Sequence, residues 1–147
     1  MANRTDTYKD AAAEYATILE QLHLESRFVL THYLSGLAVE CMLLAYKFRR
    51  DPHFDPNHRL AVLAKDAGFF DFVSQGSRDE LRAALHILVE RWDNAHRYRS
   101  QSALRTFLAQ RALDRRVSGD RLKYSSRLMV NAAVWIVAEG NIRWPRN

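Results

Sequence analysis

At 147 residues, 48% of them hydrophobic, the chain is one ordinary domain, able to bury a core without disulfide or metal staples. A single cysteine, Cys41, excludes an internal disulfide; among Val39, Met42, Leu43 and Leu44 it reads as a buried, inert thiol in a reducing, cytoplasmic setting. The formal charge of +5 is spread unevenly, and the polar first ten residues, with no uninterrupted apolar run near the roughly 20 that a bilayer requires, argue for a soluble chain without a leader.

Five glycines, three prolines and apolar residues spaced by three and four predict an all-helical chain. The first helix is expected over 7–24, with Tyr8, Ala12, Tyr15, Leu19 and Leu22 on one stripe and Thr7 with Asp10 as its capping signal. The second, over 26–50, carries Leu30, Leu34, Leu37, Cys41, Leu44 and Phe48 without a miss and forms the spine of the bundle. Two prolines break the pattern over 51–57, and a short helix over 58–67 stops at Gly68. Ser77 with Glu80 opens a third long helix whose inward stripe is Leu81, Leu85, Leu88 and Trp92 and which frays at 98–101. Ser100 or Ser102 then caps a short helix bearing Leu104, Phe107, Leu108 and Ala112. The last long helix opens near Asp120, buries Leu122, Met129, Ala133 and Ile136, and stops at Gly140.

Charge singles out the C-terminal third. Residues 97–147 hold eleven Lys/Arg against three Asp/Glu, a net +8, while 1–50 are neutral and 51–96 sum to −3. Such a field suits polyanions, but a solvated face or a seat for an acidic protein has the same composition. Other candidates have bland explanations. His53, Asp55 and His58 share a loop but lack a fourth ligand at a metal-site spacing. Glu40 on an apolar helix is better read as pairing with a neighbouring arginine or tyrosine than as a catalytic acid. Gly36, between Ser35 and Leu37, lets another element approach closely.

The stretch with chemistry in it is Arg91-Trp92-Asp93-Asn94-Ala95-His96-Arg97-Tyr98. A guanidinium that stays charged and an imidazole that titrates near neutrality suit phosphodiester cleavage. With 18 arginines and six histidines, an arginine five before a histidine is expected roughly 0.7 times by chance, and the bare spacing recurs at Arg27 and His32. Adding a tyrosine two residues later lowers the expectation to roughly 0.03, and Arg91, His96 and Tyr98 alone meet it. On an unbroken helix His96 lies about 140° around from Arg91, so a compact site needs a bend or a two-fold partner. The competing expectation is structural: Arg91 pairs with Asp93 or Glu90, His96 caps the helix end, and Tyr98 packs with its hydroxyl at the rim.

Two segments resemble the HEPN family. His32-Tyr33-Leu34-Ser35-Gly36-Leu37-Ala38-Val39-Glu40-Cys41-Met42-Leu43, followed by His58-Arg59-Leu60, resembles its second-helix signature, and 91–98 resembles the R-x4-H-x-Y string of HEPN toxins paired with a minimal nucleotidyltransferase antitoxin. The resemblance spans roughly 7–140 and implies an up-and-down bundle that forms a homodimer with a composite, metal-independent ribonuclease cleft and no cofactor. In it His96 moves the protons at the ribose 2′-hydroxyl and leaving 5′-oxygen, and Arg91 steadies the phosphate. Tyr98 is then the residue a nucleotidyltransferase modifies to silence the cleft, and Arg97, Arg99, Arg105, Arg111, Arg115, Arg116, Arg121, Lys123 and Arg127 hold the RNA. Trp92 departs from the family's usual polar residue at that position. The other reading is a non-catalytic helical module that docks a nucleotidyltransferase or other protein through its basic third.

Overall fold

A computed structural model describes residues 4–51, 59–68 and 75–144, and every regular element among them is helical. In chain order these are α1 (Arg4–Leu24), α2 (Phe28–Arg50), α3 (Leu60–Asp66), α4 (Arg78–Arg91), α5 (Gln101–Gln110) and α6 (Arg121–Ile142), with 3-10 turns at Gln75–Ser77 and Asn94–Tyr98. The proline-bearing loop with His53, Asp55 and His58 lies outside the described residues.

α1, α2, α4 and α6 are the four long helices. α1 and α2 are joined by three residues, Ser26 taking a left-handed φ of 60°, so they run antiparallel. Contacts from His32 to Ser125 and from Tyr46 to Gly140 set α2 and α6 parallel, whereas His23 to Ser126 and Glu20 to Arg127 set α1 against α6. The C-terminal end of α4 meets the N-terminal half of α6, which completes an up-and-down arrangement.

α2 is the spine because it is apolar on nearly every side; fifteen of its residues from Phe28 to Phe48 are buried. It is also long and apolar enough to cross a membrane by length and composition, yet 78% of its most apolar window is buried inside the bundle. Burial of Leu81, Leu85, Leu88, Trp92, Leu122, Met129, Ala133 and Ile136 follows the predicted stripes of α4 and α6. Leu30, on the predicted stripe of α2, is instead 37% exposed, and Leu34 and Leu37 are half-buried. A smaller apolar cluster of Phe28, Leu104, Leu108 and Leu122 seats α5 on the first turns of α2 and α6.

Helix ends depart from expectation where a cap was misplaced. α1 already includes Arg4, so Thr7 lies within the helix. Ser77 occupies the N-cap position of α4 without a side-chain capping bond. Ser100 does cap α5, accepting from Ala103 N at 3.1 Å, and Asp120 caps α6, accepting from Leu122 N and Lys123 N. α6 runs through Gly140 to Ile142; that glycine is there because a Cβ would lie 2.6 Å from Met42 on α2.

A closed arginine–histidine cluster

α4 stops at Arg91, not near Tyr98, because Trp92 is pulled into the core. Its indole is 8% exposed, donates from Nε1 to Tyr33 O at 3.1 Å, and fills the space over Gly36 that a Cβ would occupy. Trp92 and Asp93 are therefore extended, and Asp93 starts the 3-10 turn by accepting from Ala95 N at 2.8 Å. The break folds His96 back beneath the last turn of α4. Its Nε2–H donates to Arg91 O at 2.7 Å, satisfying a carbonyl the helix end leaves without a partner. The bend thus brings His96 to Arg91, but to its backbone.

The Arg91 side chain points elsewhere. Its fork grips Asp114 in two parallel hydrogen bonds, Nη1 to Oδ2 at 2.7 Å and Nη2 to Oδ1 at 3.0 Å, and both side chains are only 6% exposed. The expected partners are otherwise engaged: Asp93 caps the turn and lies 3.7 Å from Arg99, and Glu90 pairs with His86. Asp114 holds a left-handed φ of 62° in the α5–α6 connection, two residues after Ala112 at 58°, an energetically costly backbone for non-glycine residues. Arg91 Nη1 also donates to Ser125 Oγ at 3.3 Å, and its Nε has no hydrogen-bond partner.

The chain of donors continues into α2. His32 Nδ1–H gives its proton to Phe28 O at 2.7 Å, so its Nε2 must accept, from Ser125 Oγ at 2.8 Å. The same logic makes His96 Nδ1 an acceptor, filled by Arg99 Nη1 at 2.9 Å. Both rings have no exposed surface and meet edge to face with centroids 6.2 Å apart; Phe107 closes the other side of His96. Burial pushes His32 down to about 3, the Phe28 carbonyl opposing it. Burial likewise lowers His96, with the Arg91 carbonyl opposing and the Arg99 guanidinium adding to the effect. Both are neutral at pH 7. Burial lowers His23 too, beside Ser126, and raises Cys41 to about 12, an inert thiol.

Comparison of the chain with protein-family models, curated proteins and solved structures finds no match. The chemistry of these side chains therefore carries the functional reading.

Outside the cluster, Tyr98 is 79% exposed and does not pack; its ring carries the Arg97 guanidinium at 4.7 Å. Several of the basic residues expected to hold RNA are committed to the fold. Arg127 makes a bidentate pair with Glu20, Arg105 lies 3.8 Å from Asp120, and Arg111 donates to Glu90 O and stacks on Phe107. Arg99 is held by His96 and Phe107, and Arg121 donates to Arg115 O. Among the described residues, Arg97, Arg115, Arg116 and Lys123 are exposed without an ion pair. No group of three or more histidine, cysteine or carboxylate side chains converges on a metal-sized site among the described residues. Glu40 is 3% exposed in the middle of α2.

Spacing located Arg91 and His96 but missed Asp114 and Ser125, and it gave no sign that His32 and Arg99 join them to define what the pair does. Asp114 lies 23 residues further on in a connection without periodicity, and nothing local marks it. Ser125 was the one legible hint, a polar residue at a core position of an otherwise apolar stripe.

Proposed function

We propose that the chain is a non-catalytic, HEPN-like helical module that docks a protein partner, with the arginine–histidine cluster serving as its internal lock. One observation carries this: His96 has no exposed surface and both its nitrogens are engaged, while the Arg91 fork is closed by Asp114. A general base needs a free lone pair within reach of the substrate's proton, and a phosphate clamp needs open N–H groups. Neither is offered. Locking the turn instead fixes Arg97 and Tyr98 at the surface as a contact face for an acidic partner such as a nucleotidyltransferase.

The second reading is a homodimeric ribonuclease toxin with Arg91 and His96 as its catalytic pair. What favours it is the bend that gathers both residues in one cluster, together with the exposure of Tyr98, whose hydroxyl is open to a modifying enzyme. It requires Asp114 to leave Arg91 and His96 to give up one bond.

Purified chain incubated with single-stranded RNA in excess chelator separates the two. The module reading expects intact RNA, and unimpaired growth on expression. Cleavage that leaves 2′,3′-cyclic phosphate ends and disappears in a folded His96→Gln variant would overturn it in favour of the nuclease.

A further inference from the structure

Between the α1–α2 turn and the 3-10 turn lies an open groove of about 390 Å³. Val29, Leu30 and Tyr33 line it together with Arg27 and Arg97. Leu30 is 37% exposed, and neither arginine has an ion-pair partner among the described residues. Arg27 is exposed and Arg97 stacks on Tyr98, so two positive charges with no carboxylate paired to them border an apolar trough, a setting whose charge complement is an acidic partner.

We propose that this groove docks an acidic segment of a partner protein, which inserts one large aliphatic or aromatic side chain onto Leu30 and Tyr33 and places carboxylates against Arg27 and Arg97. The inference rests on the binding-module reading and names its site and partner chemistry. An anchor in a pocket with charged groups at the rim is how small interfaces concentrate their affinity. A second copy of this chain is a poor occupant, because a two-fold axis through the groove would set Arg27 and Arg97 against themselves. Both walls are fixed beforehand. Gln101 Nε2 donates to Ser26 O at 3.2 Å across the groove, and the Arg97 wall is held by the Asp93 cap and by His96 bonded to Arg91 O. A preformed groove spends little of its binding energy on ordering loops.

The test is to pan a random peptide-display library on the intact chain and to measure a synthetic copy of the enriched peptide by fluorescence anisotropy. The enriched peptides should carry Asp or Glu flanking one Trp, Phe, Leu or Ile. Binding should weaken about tenfold or more in Arg27→Glu and in Arg97→Glu, and also in Leu30→Asp, at unchanged thermal stability. It should also weaken as salt rises from about 50 to about 300 mM. Three results overturn the proposal: no specific peptide, enrichment without acidic bias, or binding indifferent to both charge reversals. A single-stranded RNA 12-mer that binds with the same loss in Arg97→Glu would assign the groove to nucleic acid and overturn it as well. The RNA-cleavage assay reads the module itself, so intact RNA with an empty groove sinks this site alone.

Discussion

Three histidines, at 23, 32 and 96, are buried as neutral rings, and that makes stability depend on pH in a definite direction. In the unfolded chain each takes a proton near pH 6.5, whereas in the fold burial holds each below that value. Below about 6.5 the unfolded state therefore binds more protons, and the stability present at pH 7 and above is lost as pH falls, by up to ~1.4 kcal/mol per pH unit for each such histidine. For His32 the loss continues down to its folded value of about 3. Urea unfolding at pH 7.5 and pH 5 should show the lower midpoint at pH 5; a midpoint that is flat or rises on acidification contradicts the neutral cluster. Which histidines are buried was poorly legible in the sequence. His32 stands on a helix whose periodicity already marked it as the spine, but His96 follows a break that depends on Trp92 finding Gly36 some 56 residues away.

Elements are held together here by contacts that local patterns do not encode. The α5–α6 connection is clasped to the end of α4 by Asp114 and Arg91, so this ion pair closes a loop between elements. Removing one partner strands a buried charge. Arg91→Met or Asp114→Asn should each cost about 3 to 5 kcal/mol, with the double variant clearly less damaged than the sum. Denaturant unfolding of the four proteins checks this; additive losses would mean that the pair is not coupled. Helix stripes, by contrast, were readable: α4 and α6 bury the residues their spacing predicts, and Ser100 and Asp120 cap where a short polar residue precedes an apolar run. What could not be read is where α4 ends, since its apolar stripe runs unbroken through Trp92 while the backbone turns away at that residue.

For the whole molecule, an all-helical bundle around one apolar spine follows from periodicity, because few glycines and prolines leave no competing pattern. The chemistry of 91–98 was not settled by its residue types, since the same arginine and histidine serve a cleft or a lock depending on what encloses them. Net charge was a weak guide for a similar reason: much of the +8 of the last third is neutralised or engaged within the fold. If His96 is a neutral structural ring, its ¹⁵N chemical shifts between pH 7 and 8 report it without ambiguity. The neutral Nε2–H tautomer should dominate at pH 7 and above, unchanged when single-stranded RNA is added. An imidazole that titrates near neutrality, or shifts when RNA is added, would contradict the lock and restore the catalytic reading.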